Sequence, residues 1–168
     1  EGAKDITFKG ITVGYSRNNG FALKNCKNII IDGCTVKGVG ETGISMSGED
    51  CTNNTIKNSI ITGTGTHAIN INGTGIANKK YIPCENRIEN CDISNTSLNA
   101  KIAYAVTTEY SPGVRIVHNR IHNTPSTAIN IISCMGSTID YNEIYDAVRE
   151  ALDLGAIYVP MDNSWGTT

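Results

Sequence analysis

An apolar residue followed five positions later by a second recurs six times along the chain: Phe8/Val13, Ile31/Val36, Ile56/Ile61, Ile88/Ile93, Ile116/Ile121 and Ile139/Ile144. After a variable turn each unit continues with a small residue and then apolar, any, apolar. The six segments are Gly20-Phe21-Ala22-Leu23, Gly43-Ile44-Ser45-Met46, Ala68-Ile69-Asn70-Ile71, Ala103-Tyr104-Ala105-Val106, Ala128-Ile129-Asn130-Ile131 and Ala156-Ile157-Tyr158-Val159. Such alternation marks period-2 strands with one buried face. No segment sustains a helical apolar rhythm, so equivalent strands must stack parallel, one coil on the next. The pattern predicts an all-β, right-handed parallel β-helix of six coils. Phe21, Ile44, Ile69, Tyr104, Ile129 and Ile157 should then form one inward column, because a one-residue slip would turn the apolar set to solvent.

The third position after each first apolar residue reads Ile11, Cys34, Ser59, Cys91, Asn119 and Asn142. Stacked small polar side chains at an inward bend can satisfy one another along the axis. Cys34 and Cys91 share this column but stand two coils apart, about 9.6 Å at the spacing of neighbouring strands, beyond disulfide reach. They are expected to be reduced, buried fillers; a Cys26–Cys51 bridge is the one exception left open. Two departures from the repeat, the insertion Gly73–Glu85 and the turn Ser94–Ile102, should rim a binding face. Asp5 enters directly into a coil and Gly166-Thr167-Thr168 stops where a seventh would begin. Residues 1–168 are thus expected to be one uncapped segment of a longer rod.

Composition agrees with short strands joined by many turns: 17 Gly, abundant Asn and Thr, and only 4 Pro. With 14 basic and 16 acidic residues the chain offers no basic groove for nucleic acid. Its apolar runs are far shorter than the roughly 20 residues of a membrane span, and no signal segment opens it. A soluble monomer without nucleic-acid or membrane partner is expected.

The run Gly113-Val114-Arg115-Ile116-Val117-His118-Asn119-Arg120-Ile121-His122-Asn123-Thr124-Pro125, then Ile139-Asp140-Tyr141-Asn142-Glu143-Ile144, then Asp153-Leu154-Gly155-Ala156-Ile157-Tyr158 resembles the bacterial right-handed parallel β-helix proteins of carbohydrate metabolism. Within that group it looks most like glycoside hydrolases related to β-helical xylanases and α-fucosidases. Two departures alter part of the sugar-facing surface. Similar sequences have His where this chain has Ser126, and Gly-Arg-Asp-Trp where this one has Val159-Pro160-Met161-Asp162-Asn163-Ser164-Trp165. The resemblance implies a secreted, periplasmic or cell-surface protein that acts on a plant-type or other complex polysaccharide and needs no cofactor.

Glycosidic cleavage generally takes two carboxyl groups, about 5 to 9.5 Å apart according to stereochemistry. Asp153 stands three residues before a strand segment, where the other coils carry Arg17, Gly40, Gly65, Ala100 and Pro125. The repeat itself has no use for an acid there, although a turn-capping Asp is the plain alternative. Glu109 and Asp162 form a second candidate pair, read as sharing a column two coils apart. Outward positions of the last strand column read Ala22, Ser45, Asn70, Ala105, Asn130 and Tyr158. Tyr158 and Trp165 could stack on a sugar while Asn70, Asn130 and the outward His118 bond its hydroxyls. No His, Asp and Glu fall in a metal-binding spacing. A polysaccharide lyase is the enzymatic alternative; it needs a Lys, Arg or His base and often Ca²⁺, and the strand faces read as carrying neither an acidic cluster nor paired Lys and Arg. A structural or carbohydrate-binding β-helix without activity is the third reading.

Overall fold

The computed structural model describes residues 1–73, 82–152 and 154–160. Within them the chain forms eighteen strands and no helix. Three parallel sheets of six strands each take one strand from every coil, so six coils stack as a parallel β-helix. The first sheet aligns Phe8, Ile31, Ile56, Ile88, Ile116 and Ile139. The second aligns Val13, Val36, Ile61, Ile93, Ile121 and Ile144. These are the apolar pairs of the sequence, and the four inner members of each column are fully buried. Burial of one such side chain contributes roughly 1.5–3 kcal/mol.

The third sheet comprises Phe21–Lys24, Ile44–Ser47, Ile69–Asn72, Val106–Glu109, Ile129–Ile132 and Ile157–Tyr158. Its inward column is Phe21, Ile44, Ile69, Val106, Ile129 and Ile157, so Val106 takes the place expected of Tyr104. The chain spends two more residues in the preceding turn. Ala103 N–H donates to the Ala100 carbonyl at 2.8 Å, Ser97 Oγ donates to the Ala103 carbonyl at 2.9 Å, and the Tyr104 carbonyl meets His67 Nδ1 at 2.8 Å. Thr108 fills the second inward position, opposite Ile71 and Ile131, so the apolar pattern matched the wrong four residues. A slip of two leaves inside and outside unchanged.

Strands end at bends that each place one residue in left-handed backbone. Between the first and second sheets these are Gly10, Gly33, Asn58, Asn90, His118 and Tyr141; after the second sheet they are Tyr15, Asn95, Asn123 and Asp146, while Gly38 and Gly63 adopt it within the longer strands Thr35–Val39 and Ile60–Thr64. Left-handed backbone costs an ordinary L-residue about 1–2 kcal/mol, and Gly or Asn tolerate it best. The abundance of those two residues follows. The inward ladder forms as expected: Asn119 Oδ1 accepts from Cys91 N–H at 3.0 Å, its Nδ2 donates to the Ile88 carbonyl at 2.9 Å, and Asn142 Oδ1 accepts from Asn119 N–H at 2.9 Å. A second ladder, not read from the sequence, uses Asn54 and Asn86, whose Oδ1 atoms accept from Ile29 N–H at 2.9 Å and Asn54 N–H at 3.0 Å.

All six cysteines are buried, and none forms a disulfide bond. Cys34 and Cys91 behave as expected, and Cys26 and Cys51 are not bridged. Cys26 Sγ donates to the Lys24 carbonyl at 3.3 Å while Cys51 Sγ accepts from Asn54 Nδ2 at 3.5 Å, so each thiol has its own partner.

The step from first-sheet to second-sheet column is five residues in every coil. From second to third it is eight residues in four coils but thirteen from Ile93 to Val106 and from Ile144 to Ile157. From the third sheet onward it ranges from ten residues, as from Phe21 to Ile31, to nineteen, from Ile69 to Ile88. Extra chain therefore collects along the two edges of the third sheet.

Candidate functional site

The outer face of that sheet carries two columns. One reads Ala22, Ser45, Asn70, Thr107, Asn130 and Tyr158, and the other Lys24, Ser47, Asn72, Glu109 and Ile132. Thr107 replaces the expected Ala105 through the same two-residue shift. Of the expected site residues, the structure thus brings together Asn70, Asn130, Tyr158 and Glu109. Asn is depleted in strands, so three of them on one face require a reason other than strand propensity.

Burial sharpens the picture. Asn130 and Thr107 face outward, yet they are 0% and 1% exposed. Asn130 Nδ2 donates to Thr107 Oγ1 at 3.0 Å. The Oδ1 atoms of Asn130 and Asn70 are buried with no hydrogen-bond partner. A buried acceptor left unpaired costs about 1–3 kcal/mol, and here two lie on one face, two coils or about 9.6 Å apart at the strand spacing. Beside them the Glu109 carboxylate accepts from Asn72 Nδ2 at 3.1 Å. Glu109 is the sole acid in the two columns.

Asp153, Asp162 and Trp165 lie outside the described residues. Counting on from Asn130 opposite Tyr158, Ile132 falls opposite Pro160, so the register no longer supports the expected column shared by Glu109 and Asp162. His118 sits elsewhere, at the corner between the first and second sheets, its ring stacked on Tyr141 with centroids 5.0 Å apart. Among the described residues no group of three or more His, Cys, Asp or Glu is placed to hold a metal ion.

Two charged groupings were missed in the sequence. On the second sheet's outer face Arg120 reaches Glu143 at 2.9 Å and Asp92 at 3.7 Å, and His122 Nε2 lies 3.3 Å from Asp92 with its ring stacked on Tyr145. The neighbouring Glu143 carboxylate raises the pKa of the Arg120 guanidinium further. That cation is already shared by two carboxylates. On the first sheet Arg87 and Arg115 stand in register on adjacent coils. Both groupings were legible from the five-residue pairs, since each member sits one residue before, or one after, an aligned isoleucine.

Residues 1–81 match a family model described as the right handed beta helix region. The fold is a right-handed parallel β-helix. No curated protein matches the chain. Two solved structures are similar, the A-modules of the mannuronan C-5 epimerases AlgE4 and AlgE6 of Azotobacter vinelandii. Both superpose with a TM-score of 0.71 over 93% of this chain and 39% of theirs, at 12% and 16% sequence identity respectively. This β-helix therefore spans well under half the length of the solved chains it matches, and the likeness is one of fold.

Proposed function

We propose that this chain is the sugar-binding portion of a carbohydrate-active β-helix, a glycoside hydrolase whose polysaccharide lies along the outer face of the third sheet. The observation that carries the reading is the pair of buried, unpartnered acceptors, Asn70 Oδ1 and Asn130 Oδ1. Asn70 is partly exposed on this face and is the nearer of the two to a sugar hydroxyl; Asn130 lies beneath the surface, and a sugar reaches it only with a shift of the side chains over it. Tyr158, next to Asn130 on the same face, adds an aromatic surface for a sugar's C–H face. The solved relatives are named for a polysaccharide, mannuronan, which supports a saccharide ligand of some kind. The longer turn between Asn95 and Ala105 adds chain beside one edge of this sheet.

Hydrolysis needs a second carboxyl group besides Glu109, and in this reading Asp153 or Asp162 provides it. Such a substrate places the working protein at the cell surface, in the periplasm or outside the cell. The test is an assay of xylan-type and fucosylated oligosaccharides with Glu109→Gln and Asp153→Asn variants of the whole protein. Each is expected to lower kcat by at least about a hundredfold with the melting temperature unchanged. Full activity in both variants would overturn the hydrolase assignment, and unsaturated products, seen by their ultraviolet absorbance, would replace it with elimination. The single acid on the described part of the face favours a second reading, a non-catalytic binding surface; binding without turnover by the whole protein would establish it.

A further inference from the structure

Arg87 and Arg115 face outward from adjacent strands of the first sheet, directly opposite each other. Their Cα atoms are about 4.8 Å apart at the strand spacing. Like charges so placed repel. Four other basic residues find carboxylates, as Lys24 finds Glu1, Lys27 finds Asp50, Lys101 finds Glu150 and Arg120 finds both Glu143 and Asp92; most of the remaining ones among the described residues stand alone, whereas Arg87 and Arg115 are directly opposite one another. Neither Arg87 nor Arg115 makes an ion pair or side-chain hydrogen bond, although Glu85 and Glu89 are close in sequence. Among the described residues no carboxylate pairs with either guanidinium, and the nearest in the groove is Glu85.

Beside them opens a groove of about 340 Å³ lined by Pro83, Pro112, Met135, Glu85, Arg115 and Thr138. At the bend leading into this sheet, two coils carry Gly113 and Gly136 in left-handed backbone where earlier coils carry Asn28 and Asn53. Loss of those side chains keeps the groove open: a Cβ at Gly136 would meet no atom within 4 Å, and one at Gly113 would press on Pro83 at 2.8 Å. The result is an apolar surface of two prolines and a methionine next to Arg115, with Arg87 opposite it on the adjacent strand.

We propose that this groove binds an acidic sugar, a uronate residue of a polysaccharide main chain or branch. Its carboxylate is held by Arg87 and Arg115, and its ring lies on Pro83, Pro112 and Met135. A guanidinium presents parallel N–H donors that fit a planar carboxylate, and two of them side by side exchange mutual repulsion for shared attraction. Glu85 repels the carboxylate toward the arginines and accepts from sugar hydroxyls, as Thr138 can. The site is on a different sheet from Asn70 and Asn130, so it stands or falls independently of the sugar-binding reading of the third sheet.

The experiment is calorimetric titration of the 168-residue chain with a galacturonate trisaccharide, with its carboxyl-reduced neutral counterpart and with inorganic sulfate. The uronate should bind, more weakly as salt is raised, and the neutral sugar and sulfate far less. Arg87→Gln with Arg115→Gln should weaken uronate binding by about tenfold per arginine and leave the melting temperature equal or higher, since repulsion is removed. Arg115→Lys keeps the charge without the fork and should lose binding at unchanged stability. Lys37→Gln, an exposed cation on the second sheet, should change nothing here. The proposal is overturned if no uronate binds, if the neutral sugar or sulfate binds equally well, if binding survives the double variant, or if the double variant melts lower because the arginines support the fold.

Discussion

Replacing Asn130 by Leu separates a side chain kept for a ligand from one kept for the fold. In the structure Asn130 is fully buried, donates once to Thr107 Oγ1 at 3.0 Å and leaves Oδ1 unpartnered. Leu has nearly the same shape and no polar atoms. Removing the orphaned acceptor returns about 1–3 kcal/mol, and leaving the buried Thr107 hydroxyl without its partner costs about as much. The expected outcome is a variant within about 2 kcal/mol of the parent. For a chain of this size that is a change in melting temperature of no more than about 4–8 °C. Calorimetric melting in the absence of sugar measures this directly, and titration with the oligosaccharides used above should show binding to the third sheet weakened by about tenfold or more. Destabilisation by more than about 2 kcal/mol would show that Asn130 serves the fold, and the strongest support for a sugar on that face would be gone.

Asn119→Ala should cost roughly 2–6 kcal/mol by leaving the Cys91 N–H and the Ile88 carbonyl unpaired in the core; Asn58→Ala, in the exposed ladder from Asp32 to Asn90, should cost far less, and equal urea midpoints would refute the difference. Ile69→Asn should cost several kcal/mol, because its neighbours Ile44 and Val106 are equally buried. Burial pushes the Cys91 thiol up to about 12 and Cys84 up to about 11 from 9.0. The unfolded chain then loses these protons first as pH rises, so stability should be intact below about pH 9 and fall between about 9 and 12. Cys84→Ser with Cys91→Ser should flatten that part of the pH–stability curve. Mass spectrometry after alkylation under denaturing conditions should find Cys34 and Cys91 as free thiols.

Where side chains alternate cleanly, the sequence could be read to single-residue accuracy: the pairs from Phe8/Val13 to Ile139/Ile144 are the columns of two sheets. The third column failed in one coil because Thr107 and Thr108 carry no apolar signal while Ala103-Tyr104-Ala105-Val106 carries a false one. That shift of two moved Thr107 onto the candidate face and set Glu109 opposite Ile132. Asn70, Asn130 and Tyr158 were placed together by spacing alone, since an outward position follows from its inward neighbours; Glu109 takes its place beside Asn72 only through the shift. What spacing could not show was that Asn130 is buried despite facing out, for that depends on side chains and loops remote in the chain. The Arg87–Arg115 pair was present in the register all along, but like charges become informative only when the absence of nearby carboxylates is known.

The constant five-residue step between the first two sheets, set against the variable steps around the third, makes the coil tolerant to length changes at some corners and brittle at another. One residue added between Phe8 and Val13, or at the same corner of any coil, would displace the left-handed bend and turn the following strand inside out. Near Gly73 or between Asn95 and Ala105, whole loops have already been accommodated without disturbing the register on either side. Loop exchange at those two places should therefore be able to change what the third sheet meets, while the rod beneath keeps its shape.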